Sequence, residues 1–341
     1  MDPIFIIGTE RSGTNLLRLI LNTHSNIAIP HPPHIMKNFS KLEFLYGDLK
    51  NDANFKALVK DVVKMVELHP YPWAVTLNAE RIFREAVDRN LISIFFSIYK
   101  QYLESSFKGR WGCKSTFMIY HVASILKYYP SAKFLYIVRD GRDVAASAKK
   151  SIFNRYCVYY TARVWKNEQQ IGMYWLNKLD RHNIFLLKYE SLLNDPEVTV
   201  RSICSFLDEP YQENMLNFFN TPEAQKSGRI SAAWINTARP IIKNNFEKFK
   251  VELSKDEIDL FENIASEELD HFLYHLNRPF YISENARAKG IKFKISYLIE
   301  EFFLMLKVQG KHLLTDKNNM LRLKKFWFLK FIRISRAIKW H

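Results

Sequence analysis

The sequence predicts an α/β fold of three layers, α/β/α, with helices on both faces of a central parallel sheet. Residues 3–7 form a short apolar run rich in β-branched side chains, and a polar turn leads from it into a helical pattern over residues 16–21. Residues 132–138 repeat this order, since another apolar run is followed by a polar turn and a helical segment. Strands that alternate with helices pair in parallel. The carboxyl ends of both strands are therefore expected at the same edge of the sheet, where such folds bind ligands.

Length and composition favour a globular protein of a reducing compartment. The chain has 341 residues, of which 48% are hydrophobic, and this suits one large domain or two small ones. Cys113, Cys157 and Cys204 are scattered without a CxxC or Cys/His cluster, so we expect neither disulfides nor a metal site. No secretory signal precedes the first strand, and no stretch of about 18 uncharged apolar residues occurs. These features predict a cytoplasmic protein.

The turn after the first strand, residues 8–15, has the composition of a phosphate-binding loop. Its glycines let the backbone approach an anion, and the first amides of the following helix point at that anion with the helix dipole behind them. A nucleoside-triphosphate loop would have lysine where this chain has Thr14, and the positive charge lies at Arg11 instead. This favours a nucleotide with a single 5′ anion; the alternative is an ordinary strand-to-helix turn with a surface arginine. The candidate binding residues are Arg11, Ser12, Gly13, Thr14 and Asn15.

A second anion site is predicted at the end of the strand over residues 132–138. Arg139 follows this strand directly, and Ser147 lies two turns into the next helix. An arginine fork with a hydroxyl group suits the non-bridging oxygens of a phosphate. Asp143 is expected to help cap that helix and to pair with a nearby arginine. Because both strands end at one edge of the sheet, Arg139 and Ser147 are expected to share a crevice with Arg11.

Two further segments supply candidate catalytic groups. His31 and His34 lie in a His-Pro-Pro-His loop, whose prolines exclude a helix, near the predicted end of the first strand. A histidine there suits a general base because its pKa lies near neutrality, with His34 favoured over His31; alternatively both only fill a surface loop. Lys114, within residues 111–116, lies at a predicted strand-to-helix junction, which is either another anion site or a simple capping turn.

These motifs together resemble those of the sulfotransferases that use 3′-phosphoadenosine 5′-phosphosulfate (PAPS). Residues 8–15 look like their 5′-phosphosulfate loop, and Arg139 with Ser147 matches their 3′-phosphate motif, including the spacing. The segment around Lys114 resembles the one that carries their catalytic lysine, and residues 187–192 resemble a strand and turn that many members share. The resemblance covers most of the chain and implies a P-loop-like fold with PAPS as the donor.

The resemblance also implies an activity, the transfer of a sulfuryl group from PAPS to an acceptor hydroxyl group. Arg11 and Lys114 would then stabilise charge on the sulfuryl oxygens and the departing phosphate, while His34 or His31 takes the acceptor's proton. The first loop and residues 138–142 are clearly similar to those of tyrosylprotein sulfotransferases. Those enzymes have an acidic base after the first helix, whereas residues 31–34 of this chain contain two histidines and no carboxylate.

One further region is assigned through the same resemblance, and another is assigned from its own periodicity. In the related enzymes a late loop closes over the adenine and the 3′-phosphate, which makes Ser227 and Arg229 of the predicted basic loop 225–234 candidate donor ligands. A solvated linker is the alternative for that loop. Residues 37–106 show helical periodicity that breaks at 71–73, and they are predicted to form a cap over the acceptor pocket or, alternatively, ordinary core packing.

The end of the chain has a different character from the rest. Residues 285–341 contain 14 Lys and Arg against 3 Asp and Glu, so they carry +11 of the net charge of +15. Residues 291–308 and 321–334 are predicted to be amphipathic helices. We therefore divide the chain into a catalytic domain, residues 1–280, and a basic helical tail, residues 281–341. Such a tail can lie peripherally on an anionic membrane, or pack on the catalytic domain or on a second subunit.

Three functions stay open from the sequence alone. A PAPS-dependent sulfotransferase would act on a small-molecule, glycan or lipid-linked acceptor, and the basic tail favours an acceptor at a membrane face. A P-loop kinase for a small molecule is disfavoured by the missing lysine. A non-catalytic protein that binds membranes through its tail is the third hypothesis. A nucleic acid partner is not expected, because the chain has no recognition motif for one.

Overall fold

A five-stranded parallel sheet forms the centre of the computed structural model, which describes residues 2–151, 155–230, 232–276, 291–315 and 319–338. The strand order is β2-β3-β1-β4-β5, and every pairing is parallel. The strands are β1 (Ile4–Gly8), β2 (Ile27–Ala28), β3 (Arg110–Lys114), β4 (Lys133–Val138) and β5 (Ile184–Lys188).

Helices connect the strands and continue beyond the last one. The first half of the described chain contains α1 (Thr14–Thr23), α2 (Ile35–Phe39), α3 (Asp52–Glu67), α4 (Ala79–Glu85), α5 (Leu91–Ser106), α6 (Val122–Tyr128), α7 (Gly141–Ala148) and α8 (Val158–Lys178). The second half contains α9 (Tyr189–Asn194), α10 (Pro196–Phe206), α11 (Pro222–Ile230), α12 (Phe249–Glu252), α13 (Lys255–His271), α14 (Ile291–Thr315) and α15 (Asn319–Ile338). Short 3₁₀ helices lie at Glu43–Tyr46, Thr116–His121, Glu213–Asn220 and Ala232–Ala238.

Alternate residues of the central strands enter two separate cores. Phe5 and Ile7 pack in the core shared with α3, α5, α8 and α13, whereas Ile4 and Ile6 pack in the core shared with α1, α9 and α10. All four side chains are fully buried. Side chains alternate between the faces of a strand, so helices must cover both faces of this sheet. The three-layer α/β/α fold with a central parallel sheet is confirmed.

The register of the central strands decides where the candidate site residues lie. Ile6 of β1 is opposite Lys114 of β3, and Gly8 is opposite Ile137 of β4. The ends of β3 and β4 therefore flank the turn that follows β1. A Cβ atom at Gly8 would lie 2.3 Å from the carbonyl oxygen of Ile137, and its φ is +140°, so glycine is needed for this close approach.

The structure shows that β5 is the edge strand of the sheet, and its Leu186 is exposed. It also corrects one sequence-based expectation about local structure. Residues 225–234 were expected to form a basic loop, but α11 continues to Ile230 and a 3₁₀ helix follows. Thr221 Oγ1 accepts a hydrogen bond from the amide of Ala224 and Pro222 occupies the first turn, so a capped start outweighs the glycine and serine that suggested a loop.

Residues 37–106 form helices, as expected, with a break between α3 and α4 that contains residues 71–73. The predicted domain boundary near residue 280 falls outside the described residues. No helix in the described part of the chain is long and apolar enough to cross a bilayer.

Both tail helices contact the preceding domain. In α14, the Glu301 carboxylate accepts hydrogen bonds from the amides of Tyr156 and Cys157 at 2.8 and 2.7 Å. In α15, Ile332 is buried in the main core, and Arg336 pairs with Asp61 of α3 at 2.8 Å. The two tail helices therefore pack on their own catalytic domain, which is one of the alternatives that the sequence left open.

Candidate active site

A cavity of about 1120 Å³ lies at the carboxyl edge of the sheet. Its walls come from the segments that directly follow β1, β3, β4 and β5, together with the loop before α2 and residues of α14 and α15. Parallel strands bring their carboxyl ends to one edge, and helices on both faces leave a crevice there. The position of the cavity thus follows from the topology of the sheet.

The loop after β1 is shaped to bind an anion. Arg11 and Gly13 have φ values of +74° and +86°, and Gly13 is the N-cap of α1 without any side-chain cap. The first-turn residues Thr14 and Asn15 line the cavity, so the opening amides of the helix have an anion site before them. Within the described residues, the buried Ser12 Oγ has no hydrogen-bond partner. A backbone cradle with an unsatisfied hydroxyl fits the phosphosulfate end of PAPS.

Gly13 also needs to lack a side chain because of its neighbour. A Cβ atom there would lie 2.3 Å from the ring of Tyr189, the first residue of α9. The close packing of this ring against the loop brings the loop and the end of β5 together at the same edge. The glycine therefore serves both the turn and the packing beside it.

The structure brings the two predicted anion sites together. The Arg139 Nη1 atom donates a hydrogen bond of 3.1 Å to the carbonyl oxygen of Arg11, and Arg11 Nε lies 3.0 Å from Ser147 Oγ. Burial and the nearby charge of Arg139 lower the pKa of Arg11 to about 10. The charges of the two guanidinium groups repel each other, and an anion bound between them relieves that repulsion.

Arg139 is held in place from three sides. Its Nη2 atom lies 3.3 Å from Asp143 Oδ2, and its guanidinium lies 4.5 Å from the ring centre of Tyr189. Among the described residues, its buried Nε has no hydrogen-bond partner. Asp143 pairs with an arginine as expected, but the cap of α7 is Asp140, whose side chain accepts the amide two residues on. Asp143 instead accepts the amides of residues 247 and 249, and so ties that segment to the site.

Lys114 ends β3 and lines the cavity beside the first loop. Its side chain is buried, and it forms no ion pair with any carboxylate in the described parts of the chain. Burial, followed by the charge of Arg18, lowers its pKa to about 7. A buried ammonium group without a counter-ion is costly unless an anion binds next to it. Lys114 is therefore placed to stabilise negative charge in the cavity.

The two predicted histidines occupy different surroundings. His34 Nδ1 lies 3.1 Å from Ser115 Oγ, and the residue has the uncommon φ of +59° that directs it into the cavity wall. His31 Nδ1 lies 2.9 Å from Nε2 of His69, and its ring stacks on Tyr71 at 4.1 Å. Burial, then neighbouring positive charge, lowers the pKa of both predicted histidines well below the usual value. Both imidazoles are thus neutral at pH 7.

Some residues of the cavity were missed by the sequence analysis. His69 and Tyr71 lie in the break between α3 and α4, and they line the cavity beside the His-Pro-Pro-His loop. Their local sequence gives no sign of this position, which depends on the fold. Ser227 is buried in α11 and is not among the described residues that line the cavity, while the side chain of Arg229 lies outside the described residues. The later residues Asn236, Thr237, Asn245 and Lys248 line the cavity instead.

Comparisons with known proteins agree with this architecture. The profile described as the Sulfotransferase family matches residues 3–213. A protein-tyrosine sulfotransferase of Drosophila melanogaster is 21% identical over 273 residues, which are 78% of this chain and 50% of that protein. An uncharacterized protein of Aquifex aeolicus is 23% identical over 260 residues, which are 73% of this chain and 30% of that protein. The chain thus spans half or less of the length of these curated relatives.

Two solved sulfotransferase structures align with most of this chain, each with a TM-score below 0.5. The sulfotransferase domain of the Synechococcus PCC 7002 olefin synthase covers 78% of this chain and 94% of its own, with 21% identity and a TM-score of 0.45. The sulfotransferase STF9 of Mycobacterium avium covers 82% of this chain and 78% of its own, with 15% identity and a TM-score of 0.48. Since the family profile matches well over half of the residues, the chain belongs to the sulfotransferase family.

Proposed function

We propose that the protein transfers a sulfuryl group from PAPS to an acceptor hydroxyl group. The observation that carries the proposal is the meeting of two anion sites, in which Arg139 contacts the backbone of Arg11 and Arg11 contacts Ser147. A nucleotide with anionic groups on both its 5′ and 3′ positions needs two such sites within its own length. Ligand pockets commonly measure about 300–1,000 Å³. The cavity, at about 1120 Å³, has room for a nucleotide and an acceptor.

Each end of the donor has its own residues in this proposal. Bound PAPS supplies the sulfuryl group that is transferred. The opening amides of α1, with Ser12 and Asn15, hold the 5′ end, and Arg139 with Ser147 holds the 3′-phosphate. Ser227 and Arg229 stay predicted donor ligands.

The acceptor end contains the groups that move the proton and stabilise charge. His34 is the favoured base because its imidazole is neutral and is oriented by Ser115, while Nδ1 of His31 is engaged by His69. Negative charge bound near Lys114 and Arg11 would raise the pKa of His34, which favours proton uptake as the acceptor oxygen attacks. Lys114 and Arg11 stabilise the charge that develops on the sulfuryl oxygens and on the departing phosphate.

The kinase alternative lacks the chemistry it needs. Thr14 stands where a nucleoside-triphosphate loop has its lysine, so nothing in the loop reaches across β- and γ-phosphates. Calorimetry separates the two proposals. Adenosine 3′,5′-bisphosphate should bind more tightly than ATP with magnesium, and the reverse order would support a kinase.

The surface of the tail helices supports a proposal for the cellular location at which the protein binds its acceptor. Large apolar side chains of both tail helices are exposed: Phe302 and Phe303 in α14, and Met320, Trp327, Phe331 and Ile334 in α15. Helix α15 also carries the exposed cations Lys324, Lys330 and Arg333. A face that is both apolar and basic complements an anionic phospholipid surface. We place the protein at such a surface in the cytoplasm, which suits its three free, buried cysteines. The acceptor is a small molecule, a glycan or a lipid-linked group; peptide tyrosine, named for the Drosophila relative, is the rival.

A labelling experiment tests the activity directly. Purified protein is incubated with sulfur-labelled PAPS and fractionated cell extract, and the labelled product is identified. Label should enter an extract component with the wild-type protein and fall by about two orders of magnitude with Arg11→Ala. Absence of label, together with no measurable binding of adenosine 3′,5′-bisphosphate, would contradict the proposed function.

A further inference from the structure

Helix α15 closes the acceptor end of the cavity. Arg322, Lys325, Phe326 and Leu329 of this helix line the cavity together with the histidines. The Lys325 Nζ atom donates a hydrogen bond of 2.9 Å to the carbonyl oxygen of Pro33, inside the His-Pro-Pro-His loop. The helix lies beyond residues 3–213, the part of the chain that matches the family profile. This wall of the site is therefore a feature of the chain outside the matched segment.

The charges at this end of the cavity are mostly positive. Lys325 is largely buried, and no carboxylate in the described parts of the chain forms an ion pair with it. Burial, and then the charge of Lys37, lowers the pKa of Lys325 to about 8. Lys37 is exposed and pairs with Glu10 at 3.5 Å, so Lys325 is the one of these two cations that has no carboxylate partner among the described residues. A largely buried cation without a counter-ion is stabilised when an anion binds next to it.

The same cations surround the histidines that we place at the acceptor. Burial is the main cause that lowers the pKa of His69 and of His34. The charges of Lys325, Lys114 and Arg322 lower the pKa of His69 further, and those of Lys114, Lys37 and Lys325 lower the pKa of His34 further. The hydrogen bond from Lys325 Nζ to the carbonyl oxygen of Pro33, the residue before His34, shows this proximity directly, and Arg322 lines the same cavity as His34 and His69. The cations of α15 therefore lie next to the position where an acceptor would be deprotonated, and not only at the outer rim.

We propose that the acceptor carries an anionic group, a carboxylate, phosphate or sulfate, which binds to Lys325 and Arg322 of α15 with Lys37 of α2. This inference rests on the proposed function, since it assigns a substrate class to the acceptor end of the same cavity. The apolar side chains of Phe326 and Leu329 contact the part of the acceptor next to that group. The tail helix is then part of the catalytic unit as well as a surface element.

Inorganic phosphate is the direct probe of this site. Protein saturated with adenosine 3′,5′-bisphosphate, so that the two phosphate sites of the donor are filled, is titrated with phosphate and followed by calorimetry. Wild type should bind phosphate, while Lys325→Gln and Arg322→Gln should each weaken that binding by about tenfold or more. Lys324→Gln, an exposed cation of the same helix, is the matched control and should bind like wild type. Lys325→Arg should keep most of the affinity. Equal affinities in wild type and Lys325→Gln, or no phosphate binding by wild type, would overturn the inference.

Labelling with extract then separates the sources of the anionic group. Acceptors are divided before the reaction into neutral and anionic fractions by ion exchange, each from an aqueous and from a lipid extract. Label is expected in an anionic fraction, and Lys325→Gln should lower the rate at limiting acceptor by about tenfold or more with unchanged bisphosphate affinity. Label in the aqueous anionic fraction identifies a free metabolite or glycan, and label in the lipid anionic fraction identifies a lipid headgroup. Label confined to the neutral fractions overturns the inference.

The outcomes distinguish this inference from the proposed function. If the wild-type protein does not bind the bisphosphate, the proposed donor site is contradicted, whatever the result of the phosphate titration. Normal bisphosphate binding and normal transfer to a neutral acceptor would leave the sulfotransferase activity intact and remove only the anionic acceptor.

Discussion

Replacing Arg139 with alanine tests whether the two anion sites bind one nucleotide. The guanidinium is buried, donates to the carbonyl oxygen of Arg11 at 3.1 Å and pairs with Asp143 at 3.3 Å. The ring of Tyr189 lies 4.5 Å below it. In the described part of the chain its Nε has no partner, so the side chain has a hydrogen-bond donor left for a phosphate oxygen. Arg139→Ala removes these groups while leaving the strand that precedes them unchanged.

The expected loss follows from the hydrogen bonds that this arginine would make. A hydrogen bond to a charged group contributes about 1.5–3 kcal/mol. Two such bonds to the 3′-phosphate, one from Nε and one from the second N–H of a terminal nitrogen, sum to about 3 kcal/mol when each lies near the lower end of that range, which corresponds to about two orders of magnitude in Kd. The affinity for a ligand without the 3′-phosphate should fall much less in this variant. Such a ligand loses only the support that the Arg139 side chain gives to the backbone of Arg11.

Calorimetry with two nucleotides measures the difference. The affinity for adenosine 3′,5′-bisphosphate should fall by about two orders of magnitude in Arg139→Ala, and the affinity for adenosine 5′-phosphate by about threefold or less. Arg181→Ala is the matched control, because Arg181 is exposed and is not among the described residues that line the cavity. An equal loss for both nucleotides would refute the assignment of Arg139 to the 3′-phosphate, and so would an unchanged affinity for the bisphosphate.

Four further predictions concern the first loop, Lys114 and the tail. Arg11→Ala and Lys114→Ala should each lower kcat by about two orders of magnitude, since each removes a preorganised charge; wild-type turnover in both would refute these roles. Because the pKa of Lys114 is lowered to about 7 and a bound anion raises it, bisphosphate affinity should fall by up to about tenfold per pH unit from pH 7 to 9, and Lys114→Gln should abolish this fall. Gly13→Ala should destabilise the protein and abolish bisphosphate binding, because the new Cβ would lie 2.3 Å from the Tyr189 ring; thermal unfolding with calorimetry checks this. Trp327→Ala should weaken binding to phosphatidylserine vesicles by about tenfold in a sedimentation assay and leave bisphosphate affinity unchanged.

The first loop and the Arg139 motif illustrate what local sequence can predict. Each motif combines a short apolar strand with a turn whose residue types are restricted by backbone geometry, as Gly13 with its φ of +86° shows. The meeting of the two motifs can then be predicted from parallel pairing alone, because adjacent parallel strands have their carboxyl ends at the same edge of the sheet. The proximity of Arg11, Arg139 and Ser147 therefore follows from the strands alone.

The helix α11 and the edge strand β5 illustrate what local sequence predicts poorly. Glycine and serine in residues 225–231 favour a loop by intrinsic propensity, but Ala224 packs in the second core and Thr221 caps the helix. Likewise, an apolar run does not reveal whether a strand lies in the middle of a sheet or at its edge. In both cases burial against distant residues outweighs the local preference.

The sequence by itself determined the α/β class, the two anion motifs and the basic character of the tail, since each depends on residues that are neighbours in the chain. Only the tertiary structure decided that His31 faces His69, that residues 236–248 line the cavity, and that Lys325 contacts the loop at Pro33. These contacts join residues tens to hundreds of positions apart, and they depend on how helices pack on the sheet. Such packing is set by the shapes of side chains that meet only after folding, which no local pattern encodes.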